Sequence, residues 1–391
     1  MIQNTESGNS AFCSRPGHWA PAGIVMKTNG EYRMKNDMEG SMTMAFISPA
    51  DPHIQYCGRV DFSDPSAPLF TWVCSSFRFI LKGKRAVLRI RNDRSYFDNC
   101  LGIVMNGFEG RLPLKEGEQE IDISAFLIDD VNDVLIYKRQ DGCHRFALLG
   151  MEAEGGLMDV PALPERRMEV YGDSVSCGEV CEAMHLVGQG DPEGHEGIYS
   201  NSWYCYGWQT ARALGACLHN CSQGGIALQP GRGWFNDPYV GMLEIWDKMN
   251  YNENLGPRTR WDFARFTPQV VIVALGQNDA HPGDFMADDL EGPLAMGWKA
   301  DYMRFLGALR ERYPRARIIL TTTVLCHDQA WDRALDEIAE EMGKGDPRVM
   351  RFRFRRTGIA TPGHPRVSEQ NEMARELTAF ISSLGDGIWK D

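Results

Sequence analysis

The chain has 391 residues, which is enough for two domains that each bury a hydrophobic core. A hydrophobic fraction of 43% and a charged fraction of 24% are those of a soluble globular protein. The net charge of −12 disfavours a partner with a phosphate backbone, so we predict that the chain binds no nucleic acid.

The N-terminus lacks the basic start and apolar centre of a signal peptide, and no later stretch approaches the ~20 apolar residues of a membrane span. We therefore expect no membrane partner and a cytoplasmic location, unless a leader has been removed. The 11 cysteines are an odd number without a repeating frame, which favours free thiols. Cys177 and Cys181 share their spacing with Cys217 and Cys221, but this is not a zinc-knuckle spacing, so we predict no metal.

The first 46 residues are polar and show no sustained hydrophobic period, so we predict an extension that packs elsewhere or is partly disordered. From residue 47 to residue 162, short segments alternate between apolar and polar residues, which predicts strands. Asn106-Gly107 predicts a hairpin turn after one of them. The predicted strands are 53–62, 76–82, 86–91, 102–105, 120–123, 133–138 and 145–149. Many short strands without an amphipathic helix predict a β-sandwich of jelly-roll type.

Two prolines within residues 159–165 predict a stiff linker to a second domain, residues 163–391. Here apolar strands alternate with helices, which predicts a parallel sheet covered on both faces in a three-layer α/β domain. The predicted strands are 167–171, 217–222, 269–275, 317–323 and 349–354, and the predicted helices are 202–214, 300–312, 331–342 and 367–384. Ligand sites of such domains lie at the carboxyl ends of the strands.

Three predicted strands of this sheet end in residues that could serve one reaction. Gly172-Asp173-Ser174 follows the first strand, Gly224-Gly225 the second, and Gln277-Asn278 the third. Each group taken alone is more typical of an ordinary tight turn or helix cap than of a catalytic site. Together they would supply a nucleophilic hydroxyl, backbone N–H donors and a side-chain amide donor at one edge of the sheet.

A histidine near the C-terminus completes the set. His364 lies between two prolines, Pro362 and Pro365, just before the last predicted helix. A lone loop histidine is often structural. Here it would provide the base that acyl transfer requires beside a nucleophile and oxyanion donors.

These four segments resemble the signature segments of the SGNH, or GDSL, hydrolases. Residues 58–62, 79–83, 137–139 and 166–174 are also similar to the two-domain family two of the carbohydrate esterases, in which a jelly-roll precedes an SGNH domain. Together the similar segments span residues 47–391. By matching position, the resemblance implies Ser174 as nucleophile and His364 as base. Its oxyanion hole would comprise the Ser174 N–H, the Gly225 N–H and the Asn278 amide, with Gly224 as the alternative to Gly225.

The sequence departs from the superfamily pattern at the third catalytic member. An Asp usually stands three residues before the histidine, where this chain has Thr361. The resemblance to family two implies a Ser–His dyad in which a backbone carbonyl holds the imidazole. A distant acid such as Asp279 or Asp328 is the alternative, and we favour the carbonyl.

Aromatic side chains bind sugars through their faces, and Trp234, Trp331 and Tyr239 follow the second and fourth strands. We predict substrate contacts for Trp234 and Trp331, with packing or the start of a helix as the alternative. His281 and His327 also follow strands, but neither matches the motif of the base.

The sequence therefore predicts a cofactor-free serine esterase that removes acetyl groups from xylan- or mannan-type oligo- or polysaccharides. The first alternative is a lipase- or thioesterase-like member of the superfamily. The second is a carbohydrate-binding protein with an idle esterase site. The sandwich would be a wall of the active-site cleft or an assembly surface in a homo-oligomer.

Overall fold

The fold is that of a computed structural model, which describes residues 44–235 and 237–390. The predicted N-terminal extension, residues 1–46, lies outside the described residues except for residues 44–46. These three residues belong to the first strand. Among the described residues, no helix is both long and apolar enough to cross a membrane.

The first part of the described chain is a β-sandwich, as predicted. Its alternating residues bury one face of each strand, as in β5, where Phe77, Phe79 and Leu81 point into the core. The strands are β1 (Met44–Ile47), β2 (Gln55–Cys57), β3 (Val60–Asp61), β4 (Leu69–Phe70), β5 (Ser76–Lys82), β6 (Ala86–Arg94), β7 (Cys100–Met105), β8 (Phe108–Pro113), β9 (Gly117–Asp122), β10 (Val131–Lys138), β11 (His144–Glu154) and β12 (Gly156–Met158).

These strands form two antiparallel sheets. One has the order β3-β4-β11-β6-β9, with β1 also paired to β11, and the other has the order β12-β5-β10-β7-β8, with β2 also paired to β5. Asn106 and Gly107 form the predicted turn between β7 and β8, both at positive φ. The single strand predicted over 53–62 is wrong: it is split into β2 and β3. Gly58 interrupts it at φ +102°, where a β-carbon would lie 2.6 Å from Ser75 Cβ.

The second domain has a parallel sheet between two helical layers, as predicted. Its strands are β13 (Arg166–Gly172), β14 (Ala216–Ser222), β15 (Val270–Ala274), β16 (Arg317–Thr321) and β17 (Val349–Arg351). Its helices are α1 (Ser174–Cys177), α2 (Tyr206–Ala213), α3 (Met242–Ile245), α4 (Phe285–Asp288), α5 (Pro293–Arg312), α6 (Gln329–Gly345) and α7 (Val367–Ser383). Side chains of α5 and α6 pack on one face of the sheet, and those of α2 and α7 pack on the other.

The sheet order is β14-β13-β15-β16-β17. The chain leaves β13 for one neighbour, β14, and later returns to place β15 on the other side. Ligands of open α/β sheets bind where the strand order reverses in this way. The segments after β13, β14 and β15 therefore meet at one crevice.

A buried arginine joins the sandwich to this sheet. The Arg59 guanidinium lies 3.0 Å from Glu169 Oε1 and donates to the Tyr171 hydroxyl at 2.8 Å, and both partners belong to β13. It also donates to the backbone carbonyl of Trp246 at 2.6 Å. Arg59 and Glu169 are fully buried, so this ion pair connects the two domains away from solvent.

Candidate active site

Ser174 stands at the end of β13, on the first residue of α1. Asp173 caps this turn, since its Oδ1 accepts from the Val175 N–H at 3.0 Å. Gly172 must be glycine because a β-carbon there would lie 2.2 Å from Ser176 Oγ. The tight turn places Ser174 on the wall of a cavity, where its side chain is accessible from that space.

The backbone conformation and close packing at position 225, after β14, require a glycine. Its φ is +72°, and a β-carbon would lie 2.7 Å from the Phe235 nitrogen. Its carbonyl accepts from the N–H groups of Trp234 and Phe235, at 2.7 and 3.0 Å, which closes the loop between them. Gly224 instead donates its N–H to Asp141 Oδ2 at 2.9 Å. Of the two predicted alternatives, this geometry favours Gly225 as the oxyanion donor.

Asn278 follows β15 and its side chain faces the same cavity. The Asn278 amide donates to the Ile226 carbonyl at 3.0 Å and, less closely, to Asp173 Oδ2 at 3.3 Å. Gln277 Nε2 donates to the same Asp173 oxygen at 2.7 Å. Asp173 would therefore keep a donor if the Asn278 amide turned towards a substrate oxygen.

His364 lies on the same cavity, and a carboxylate holds its ring. Its Nδ1 is 2.6 Å from Asp191 Oδ2, and its backbone N–H donates to Asp191 Oδ1 at 3.0 Å. The His364 Nε2 atom is buried and has no hydrogen-bond partner among the described residues. Because the carboxylate accepts a hydrogen bond from Nδ1, the proton of the neutral ring lies on Nδ1. Nε2 then carries the lone pair and can accept a proton.

Asp191 was missed by the sequence reasoning, and the favoured backbone carbonyl was wrong. The other acids considered are occupied elsewhere: Asp279 accepts from the Leu228 N–H at 2.8 Å, and Asp328 caps α6. Thr361 is buried, and its hydroxyl has no partner among the described residues. The signal available in the sequence was Gly190-Asp191-Pro192, an acid fixed between two residues that restrict a loop.

The Asp191 carboxylate is itself anchored. Arg366 donates through Nη1 to Asp191 Oδ1 at 2.7 Å, and its guanidinium is completely buried. Burial alone would raise the pKa of Asp191, but hydrogen bonds from His364 and Arg366 lower it well below its usual value. Asp191 is therefore ionised beside the imidazole.

The pKa of His364 moves in the opposite direction. Burial alone would lower it, but the hydrogen bond to Asp191 and the negative charges of Glu179, Asp191 and Asp173 raise it above 6.5. Burial, together with the neighbouring carboxylates of Asp141 and Asp191, raises the pKa of Glu179 to about 7. The fraction of molecules with neutral His364, the form that can act as a base, therefore increases as the pH rises through the pKa of His364.

The cavity above Ser174 has a volume of about 650 Å³, which is in the range of small-molecule sites. Residues of the sandwich line one side of it, and loops of the second domain line the other. Its lining consists of Tyr96, Phe97, Asp141, Ser174, Glu179, Asp191, Glu196, Gly224, Gly225, Trp234, Phe235, Asn278, Leu325, Pro362, Gly363 and His364.

The predicted sugar-binding aromatics separate into two groups. Trp234 lines the cavity, is 66% exposed and stacks on His281 with ring centroids 3.5 Å apart. Trp331 lies outside the cavity and is completely buried, because its ring packs against Trp298 and Phe285 in the core. Its position contradicts the predicted contact with substrate. His327 is also elsewhere, paired with Asp332.

The cysteines considered for a metal do not converge on one site. Among residues 44–235 and 237–390, no group of three or more His, Cys, Asp or Glu side chains could hold a metal ion. Cys217 contacts Cys57, whereas Cys221 faces Glu169 and Cys181 faces the Asn201 carbonyl.

Comparisons with known proteins cover both domains. Residues 56–161 match the family model described as "Carbohydrate esterase 2 N-terminal". A protein of Cellvibrio japonicus named "Acetylxylan esterase / glucomannan deacetylase" is 27% identical over 346 residues, which are 87% of this chain and 91% of that protein.

Solved structures show the same fold. The structure of a family two carbohydrate esterase from Clostridium thermocellum in complex with cellohexaose matches with a TM-score of 0.72 at 24% identity, over 86% of this chain and 100% of that chain. A family two carbohydrate esterase from Cellvibrio japonicus matches with a TM-score of 0.71 at 24% identity, over 88% of this chain and 98% of that chain.

Proposed function

We propose that this chain, which resembles family two of the carbohydrate esterases over both of its domains, is a carbohydrate O-acetyl esterase. The observation that carries the proposal is the common cavity: Ser174, Gly225, Asn278 and His364 come from four separate segments and line the same space. They supply a nucleophile, oxyanion donors and a base. The Cellvibrio japonicus relative named acetylxylan esterase and glucomannan deacetylase supports acetylated xylan or mannan saccharides as the substrate class.

In the first step, Ser174 Oγ attacks the carbonyl carbon of the acetyl ester while His364 Nε2 accepts the hydroxyl proton. The negative charge on the carbonyl oxygen is stabilised by the N–H groups of Ser174 and Gly225 and by the Asn278 amide, each typically worth about 3 kcal/mol. Asn278 exchanges its longer bond to Asp173 for this one. The tetrahedral intermediate then breaks the ester bond, and His364 returns its proton to the departing sugar oxygen.

In the second step, water takes the place of the sugar. His364 Nε2 accepts a proton from the water, whose oxygen attacks the acetyl-enzyme carbonyl at Ser174. The same donors stabilise the second intermediate. Its breakdown releases acetate and returns the proton from His364 to Ser174 Oγ. Throughout, Asp191 stabilises the imidazolium at Nδ1 without taking its proton.

The lining of the cavity favours an acetyl group on a sugar over a long acyl chain. Asp141, Glu179 and Glu196 place carboxylates around the space, between aromatic and aliphatic side chains. Burying an alkyl chain against ionised or hydrogen-bonded carboxylates gains little, whereas sugar hydroxyls can donate to them. Trp234 offers a largely exposed indole at the same cavity, on which a sugar ring can stack. The lipase- or thioesterase-like alternative would need an apolar acyl pocket.

Acetate release from acetylated xylo- and manno-oligosaccharides tests this proposal. We expect turnover of these substrates, and, in a series of aryl esters from acetate to octanoate, the highest kcat/KM for acetate. Activity that rises beyond butyrate would contradict the acetyl esterase and favour a lipase-like enzyme. Saccharide binding without any hydrolysis would establish a carbohydrate-binding protein with an idle site.

A further inference from the structure

The segment that carries Asp191 is bound to the sandwich by several hydrogen bonds. We name residues 178–201 the acid loop. It lies between α1 and α2, and apart from one short 3-10 turn at Met184–Leu186 it has no regular structure. A segment of this length without regular structure does not hold a side chain within the ~0.5 Å that a catalytic contact requires unless other contacts fix it.

The C-terminal region of the chain fixes the first half of the acid loop. Arg366 donates to the carbonyls of Val180 and Gly190, at 3.3 and 3.0 Å, in addition to Asp191. The Val367 N–H donates to the Cys181 carbonyl at 2.9 Å. These bonds tie the acid to the same short segment that carries the histidine.

The sandwich fixes the second half. Gln140 Nε2 donates to the Gly197 carbonyl at 3.3 Å and to the Asp98 carbonyl at 2.8 Å. The Asp98 N–H donates to the Glu196 carbonyl at 3.0 Å, and Arg111 donates to the Ile198 carbonyl at 3.0 Å.

Two buried side chains at the end of β10 hold the base of the acid loop. Arg139 donates to the Ser200 carbonyl at 2.8 Å and pairs with both Glu109 and Glu182. The Tyr137 hydroxyl lies 2.9 Å from Asn201 Oδ1. All these donors belong to the sandwich, whereas the carbonyls and side chains that they bind belong to the acid loop, except for Glu109 and the Asp98 carbonyl.

From these contacts we infer that the sandwich is a positioning element of the esterase, which holds the acid loop so that Asp191 contacts His364. The inference rests on the proposed function and extends it. It assigns the domain a role in the reaction itself, in addition to lining the cavity, and it names Gln140, Tyr137 and Arg139 as positioning residues. The link is direct, because six residues after Asp191 the loop already meets Gln140 at Gly197.

The pKa of His364 reports whether the sandwich holds Asp191 against the imidazole. The charged and titratable groups that face it are Asp191, Glu179 and Asp173, with Arg366 behind Asp191 and His195 on the same loop. If the acid loop shifts, Asp191 moves away from Nδ1 and the pKa of His364 falls. A variant that merely unfolds some of the protein lowers the rate without moving this pKa.

The test uses the full chain and two substitutions that keep side-chain volume, Gln140→Met and Tyr137→Phe. The control is Arg89→Met, which removes a sandwich ion pair with Glu152 that does not touch the acid loop. For each protein, kcat and KM for an activated aryl acetate are measured against pH, and thermal unfolding is followed to verify folding. Arg111→Ala, at an exposed side chain, provides a third variant where the buried substitutions prevent folding.

We expect the substitutions at Gln140 and Tyr137 to lower kcat by about tenfold or more with little change in KM, and to move the acid limb of the pH profile to lower pH. The control is expected to leave the limb in place. In an Asp191→Ala background the same substitutions should add less than about twofold, because the contact they position is already lost. The inference is overturned if the acid limb of the pH profile does not move. It is also overturned if the substitutions lower kcat as much in the Asp191→Ala background as in the native protein. Activity that survives Ser174→Ala would instead contradict the proposed function.

Discussion

Replacing Asp191 by Asn is a more severe change than removing its carboxylate. In the native site Asp191 Oδ1 accepts from the His364 N–H at 3.0 Å and from Arg366 at 2.7 Å. An Asn keeps one oxygen, and these two donors require it at that position. The amide NH₂ then replaces Oδ2 opposite His364 Nδ1, which becomes the acceptor. The ring is left with its proton on Nε2, so it cannot accept the proton of Ser174.

The magnitudes follow from this geometry. Asp191→Ala removes a charge-assisted hydrogen bond of 2.6 Å, which is worth about 1.5–3 kcal/mol or roughly 10- to 150-fold in rate. Asp191→Asn also imposes the wrong tautomer, and we expect a loss of kcat of the order of 10³- to 10⁴-fold. The Ala variant should be more active than the Asn variant. The acid limb of its pH profile should lie at lower pH than that of the native enzyme, because the pKa of His364 falls.

The assay is acetate release from an acetylated oligosaccharide, with kcat and kcat/KM measured between about pH 4 and pH 9 for the native, Asn and Ala proteins. Thermal unfolding of each protein shows whether the fold is retained. An Asn variant that keeps activity within about twofold of the native protein would refute the role of Asp191. An Ala variant that is less active than the Asn variant would refute the argument that Asn imposes the wrong tautomer on His364.

Three further changes test other parts of the site and fold. Asn278→Ala should lower kcat by about 10²- to 10³-fold with little change in KM, and an unchanged kcat would exclude it from the oxyanion hole. Trp234→Ala should raise KM for acetylated oligosaccharides several-fold but leave an aryl acetate unaffected, and an equal effect on both would argue against sugar stacking. Arg59→Met should lower the free energy of unfolding by about 3–5 kcal/mol in urea titrations, because it leaves Glu169 buried and unpaired. Adding Glu169→Gln should recover part of that loss.

The sequence predicted the two-domain fold and the family resemblance, and both are confirmed. The reason is that the parallel strands were recognisable as short apolar runs between helical stretches, and the carboxyl ends of parallel strands necessarily meet at one edge of the sheet. Ser174, Gly225 and Asn278 each directly follow such a run. Local patterns therefore placed them together, and the geometry of the cavity agrees, although their catalytic roles stay predictions.

Asp191 was beyond such reasoning because nothing local connects it to its partner. It lies 173 residues before His364, in a segment held by long-range contacts with both the C-terminal region and the sandwich. The same limit applies to Trp331, for which substrate contact was predicted: it lies on α6, and its ring packs in the core. The start of α5 was predicted at residue 300 but lies at Pro293, a favoured first residue of a helix, and Gly297 weakens the helical pattern between them.

The proposed mechanism requires that Ser174 carries the acetyl group during turnover. Its most direct test is acetate release from an acetylated xylo-oligosaccharide by the native protein and by Ser174→Ala, with Ser176→Ala as a matched control on the same turn. The proposed mechanism predicts loss of about 10⁵-fold or more in kcat for Ser174→Ala, with the fold retained, and smaller effects for the control. Undiminished acetate release from Ser174→Ala would contradict the claim.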